Sequence, residues 1–177
     1  MINAQEYAKA LFALSEEEKI TDEVFSQLRT VGKVLSENPD YSKLLDTPAI
    51  SKEEKLSLIS DAFIGINEYI VNTVKILAEK HLSHLMGSVI SEFSSLYDLS
   101  RGIERVEAIT AVPLTEKQSA ALTSKLKEQT GKTIILTNKT DPSILGGVKL
   151  RYSGIQLDGS VKTRLKSFEE SLRNLVI

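Results

Sequence analysis

The feature that most constrains this sequence is a single change of hydrophobic period near Gly102. Before it, apolar residues recur every three or four positions, the repeat of helices that bury one face. After it, short β-branched runs are separated by turn residues. A chain that changes period once reads as two successive structural units. Its 177 residues suffice for two modest cores.

In the first half, Asn3 with Glu6 forms a capping-box pattern and opens a helix to about Leu14. Thr21 and Asp22 open a second helix, with Val24, Phe25, Leu28, Val31 and Leu35 at helical spacing. It stops at Asn38-Pro39, because the residue before a proline resists the helical conformation. A short helix fits 41–46. Ser51 and Glu54 form a second capping box, followed by Leu56, Ile59 and Phe63. Two more helices fit 68–80 and 83–100. These segments predict an N-terminal six-helix bundle over residues 1–104.

The second half reads differently. Val106, Ala108, Ile109, Ala111 and Val112 form a strand-like run ending at Pro113. Thr115 and Gln118 make a third capping box, and the helix they open closes at Gly131. The run from Thr133 to Thr137 reads as a buried strand by composition. Val148 to Tyr152 alternates as a half-buried strand should. Ser153-Gly154 turns it back through Ile155 and Leu157. Asp158 or Ser160 caps a final helix with Val161, Leu165, Phe168 and Leu172 on one stripe. The fold class expected is mainly α with a small α/β part, the C-terminal domain spanning 105–177.

Several chemistries are disfavoured. Without cysteine there are no disulfides or thiolate metal sites. No apolar run approaches the ~20 residues of a membrane-crossing helix. Neither GxxxxGK[ST] nor GxGxxG occurs. The only histidines, His81 and His84, share a helix face at best and make a poor metal site. Glu16-Glu17-Glu18 and Glu53-Glu54 are placed at helix starts, where the dipole favours them. No cofactor, metal or catalytic residue is expected. Lys149, Arg151, Lys162, Arg164, Lys166 and Arg173 form a basic set. With a pI near 5.8 and no aromatic-rich motif, it argues against a nucleic-acid partner. Charge is nonetheless uneven: residues 1–105 carry −6 and residues 106–177 carry +4, which suits domains facing different partners.

The first helix is apolar over more than one stripe. Tyr7, Leu11 and Leu14 form one row, flanked by Ala8 and Phe12. The segment 68–80 has a similarly wide face, with Ile70, Val71, Val74, Leu77 and Ala78. One row can serve the core while another meets an amphipathic helix.

Two motifs carry a resemblance. One is Tyr7-Ala8-Lys9-Ala10-Leu11-Phe12. The other is Gly146-Gly147-Val148-Lys149-Leu150-Arg151, followed by Ile155-Gln156-Leu157-Asp158-Gly159-Ser160-Val161 and Arg164-Leu165. Together with length and domain order, these resemble the delta subunits of bacterial F-type ATP synthases, the oligomycin-sensitivity-conferring protein family of mitochondria. The resemblance implies a non-catalytic stator subunit. It implies a groove between the first and fifth helices that takes the N-terminal helix of an alpha subunit. The lining would be Tyr7, Ala8, Leu11 and Leu14 with Val74, Leu77, Ala78 and His81. The C-terminal domain would meet the b subunits of the peripheral stalk, with Lys149, Arg151, Lys162 and Arg164 as candidate contacts. The place implied is the cytoplasmic face of the bacterial cell membrane, with the membrane reached only through the complex. The alternative is a helix-binding adaptor of another assembly.

Overall fold

The structure, a computed structural model, describes residues 3–152, 154–161 and 163. The chain divides between Ser100 and Arg101 into two units, a few residues before the expected boundary.

The first unit consists of α1 (Ala4–Glu17), α2 (Thr21–Glu37), α3 (Pro39–Asp46), α4 (Lys52–Ala62), α5 (Glu68–Glu79) and α6 (Met86–Ser100). A 3-10 turn at Ser83–Leu85 precedes α6. The local reasons are those of helix termini. Ser51 and Glu54 close a reciprocal capping box at the start of α4. Asn3 caps α1 by a simpler route than expected, accepting from the Gln5 N–H. Pro39 sits at the first position of α3, where its missing N–H costs no helical bond. Glu16 and Glu17 end α1 and Glu18 follows it, so the expectation that these acids begin a helix is corrected. The chain continues helical through 15–17 before the left-handed Lys19 turns it.

Each helix gives one stripe to a shared core. Leu11, Leu28, Ile59, Leu77 and Phe93 are among the largest fully buried side chains. Burying each contributes roughly 1.5–3 kcal/mol before entropy is counted. Phe12 meets Phe93 edge-on, with ring centroids 5.4 Å apart. Phe25 stacks on Tyr97 at 4.0 Å, tying α2 to α6.

The second unit is a four-stranded sheet with one crossover helix. Its elements are β1 (Ile103–Thr110), α7 (Glu116–Thr130), β2 (Thr133–Thr140), β3 (Val148–Tyr152) and β4 (Ile155–Asp158). The strand order is β2-β1-β3-β4. β1 runs parallel to β2, with Ile103 opposite Thr133. That pairing requires a long crossover, which α7 supplies. β3 is antiparallel to both β1 and β4. Leu126 and Leu122 of α7 pack on the face carrying Val106, Ile134 and Leu150. β2 was expected to be a buried strand. It is an edge strand in which only Ile134 is buried, and Ile135 points outward. β-branched composition reports fit to a pleated surface and does not separate centre from edge. β1 begins and ends earlier than expected, because Ala111 to Leu114 form the link to α7. The expected final helix lies almost wholly outside the described residues.

The glycine motif is explained by backbone packing. The Gly159 N–H donates to the Val148 carbonyl and the Val161 N–H to the Gly146 carbonyl, each at 3.0 Å. Gly147 has φ +79°, and a Cβ there would lie 2.6 Å from the Gly159 oxygen. Only glycine allows both that conformation and that approach.

Candidate functional site

Two helices of the first unit set the candidate site. On α1, Ala4, Ala8, Leu11 and Ser15 turn inward. Tyr7, Ala10 and Leu14, at i, i+3 and i+7, form the neighbouring row. On α5, capped by Asn67 accepting from the Tyr69 N–H at 3.0 Å, the inward residues are Ile70, Thr73, Val74, Leu77 and Ala78. Tyr69, Ile76 and Lys80 lie along one flank of that stripe. Lys80 Nζ donates to Tyr7 Oη at 3.1 Å and stands 5.6 Å from the Tyr7 ring centroid. This contact brings the flanking row of α1 against the flanking row of α5.

The expected groove residues therefore separate. Leu14 is 43% exposed and Tyr7 half-buried, so both reach the surface. Leu11 is 2% exposed and Leu77 fully buried. Ala8, Val74 and Ala78 are likewise in the unit's own core. These five pack within the unit's core, since the stripe they share is the one α1 and α5 turn inward. His81 stands differently. It has left α5, adopts φ +58°, and directs Nδ1 toward the Asp46 carbonyl at 3.0 Å and Lys55 Nζ at 3.3 Å. It faces α3 and α4. Ile76, 45% exposed, was not anticipated. Its signal was available: it lies seven residues after Tyr69 and four before Lys80, on one face of a helix.

His81 and His84 do not share a helix face, since the 3-10 turn separates them. His84 Nδ1 bonds the Asp46 carboxylate at 2.7 Å. Partial burial would raise the pKa of Asp46, but the His84 side chain and the Ser83 and His84 backbone N–H groups together hold it below the ordinary range. A cavity of about 690 Å³ adjoins this pair, lined by Leu35, Pro39, Met86 and Ile90 among others. None of the anticipated groove residues lines it.

In the second unit the anticipated basic contacts are engaged within the sheet. Lys149 Nζ lies 3.1 Å from Asp158. Arg151 donates to Glu107 at 3.1 Å and to Gln156 at 3.4 Å. The Ser160 hydroxyl and N–H, with help from Lys149 and Thr163, hold Asp158 well below the usual carboxylate range. Lys162 and Arg164 lie outside the described side chains. Among the described residues, no helix is long and apolar enough to cross a membrane.

Comparison with known proteins agrees with this architecture. The subunit delta of ATP synthase from Geobacillus sp. (strain WCH70) is 34% identical over 172 residues, covering 97% of each chain. That from Clostridioides difficile (strain 630) is 34% identical over 180 residues, covering 99% of each. That from Lactobacillus johnsonii is 36% identical over 173 residues, covering 96% of this chain and 93% of the relative. A chain in the Toxoplasma gondii mitochondrial ATP synthase hexamer has the same fold, with TM-score 0.74 and 22% identity over 97% of this chain and 98% of that one. Residues 4–172 match the family described as ATP synthase delta (OSCP) subunit. The chain belongs to that family, and it is a non-catalytic stator subunit of the ATP synthase.

Proposed function

We propose that the α1–α5 surface receives the N-terminal helix of an alpha subunit of the catalytic head, while the second unit meets the b subunits of the peripheral stalk. The observation that carries this reading is that Leu14 on α1 and Ile76 on α5 stay exposed, each on the row of its helix that the Lys80–Tyr7 contact brings together. An amphipathic helix lays its apolar face onto such a surface. The buried residues beneath it hold its walls rigid. A rotary enzyme delivers torque to its catalytic head, so a connector must supply affinity and stiffness, without chemistry. The site of action is the cytoplasmic face of the bacterial membrane, reached through the complex. On the stalk side, Lys149 and Arg151 are already paired, so they contribute less than the charge balance of residues 106–177 suggests.

The test is a titration of the full chain against a catalytic head lacking its own delta subunit, at low and at physiological salt. Tight one-to-one binding that changes little with salt is the expected result, because apolar contacts respond weakly to screening. Absence of binding, or a steep salt dependence, overturns it.

A further inference from the structure

Lys55, the fourth residue of α4, is 4% exposed. A lysine is almost never that buried without a partner of opposite charge. Among the described residues no carboxylate lies within ion-pair distance of its ammonium, and its one hydrogen-bond contact is His81 Nδ1 at 3.3 Å. That same ring nitrogen lies 3.0 Å from the Asp46 carbonyl oxygen. One nitrogen cannot accept from Lys55 and donate to a carbonyl at once. With the proton on Nδ1, the Asp46 carbonyl is satisfied and Lys55 has no acceptor. With the proton on the other nitrogen, Lys55 is served and the carbonyl faces a lone pair.

An acceptor from outside the chain resolves the conflict, and there is room for one. Lys55 and His81 both line a cavity of about 290 Å³ between α4 and the end of α5, shared with Lys52, Glu79 and apolar residues. At its rim Lys52 pairs with Glu79 at 3.2 Å. The two rim charges cancel, which leaves Lys55 as the unmatched cationic side chain of the lining. We propose that this cavity binds a small oxyanion of the phosphate type, with Lys55 as its anchor and His81 released to donate to Asp46. The cavity is wider than a halide requires, and an oxyanion offers several acceptors to the three donors of one ammonium.

The experiment uses the full chain and inorganic phosphate, added at constant ionic strength against sodium chloride. The imidazole resonances of His81 are followed by NMR and identified with a His84→Gln variant. A saturable His81 shift that chloride does not reproduce is expected. In Lys55→Met, which keeps most of the buried stem, the dissociation constant should rise by about tenfold or more, the loss of one charge-assisted hydrogen bond. Phosphate acting no differently from chloride overturns the proposal, and so does an unchanged constant in Lys55→Met. Should that variant fail to fold, Lys52→Ala replaces it. Removing the exposed rim cation brings the lining to neutrality and should weaken binding several-fold, and an unchanged constant there overturns the site.

Discussion

Asp46 and His84 are joined by a 2.7 Å hydrogen bond from His84 Nδ1 to the Asp46 carboxylate, which also accepts the backbone N–H groups of Ser83 and His84. One side chain at the end of α3 thus organises the turn into α6. The folded-state pKa of Asp46 is lowered. Its contribution to stability is therefore present above the unfolded value of about 3.9, and it is lost as pH falls through the lower folded value. Asp46→Ala should cost about 1–3 kcal/mol at neutral pH. In urea unfolding followed across pH, the gap between the two proteins should close below about pH 4.

Leu11 and Leu14 are three residues apart on α1 and should behave oppositely. Leu11→Asp buries an unpaired charge and should cost more than about 4 kcal/mol, enough to unfold the first unit. Leu14→Asp should change stability by no more than about 0.5 kcal/mol. It should nevertheless weaken binding to the catalytic head more than about tenfold, as loss of an interface anchor does. Circular dichroism and the head titration separate the two outcomes, and Ile76→Asp should follow Leu14→Asp.

Gly147→Ala tests the glycine motif. The new Cβ would meet the Gly159 oxygen at 2.6 Å and sit on a backbone of positive φ. A loss of roughly 2–4 kcal/mol follows from the clash and the strain together. Amide exchange should accelerate in β3 and β4 while α1 to α6 keep their protection.

The capping box at α7 should be worth an ordinary amount. Thr115 accepts from the Gln118 N–H at 3.3 Å, and Gln118 accepts from the Thr115 N–H at 2.9 Å. Thr115→Ala should cost about 1 kcal/mol in thermal unfolding.

Much of this architecture is legible from local chemistry. Ser51 with Glu54, Thr115 with Gln118, Pro39 and Gly131 mark helix ends because the groups that satisfy the terminal backbone lie within a few residues. The strand 148–152 was legible because its alternation is local. What the sequence did not separate was depth. Leu11 and Leu14 look alike on a wide apolar helix, and only the packing of α5 and α6 decides which is covered. The direction of His81 was not legible for the same reason, since it is set by a left-handed turn and by Asp46, 35 residues away. The edge position of β2 depends on strand order, which no short window encodes.

The strand order also has a consequence during synthesis. β1 lies between β2, made before Asp141, and β3, made after Gly147. A ribosome that has completed β1, α7 and β2 has released a parallel pair whose other side is still open at Glu107 to Thr110, where Arg151 to Val148 will later bond. An open strand edge is a template for any neighbouring chain. Translation that pauses in the short stretch between Thr140 and Val148 therefore leaves the second unit with its sheet's central strand unguarded, and aggregation of truncated products should concentrate there.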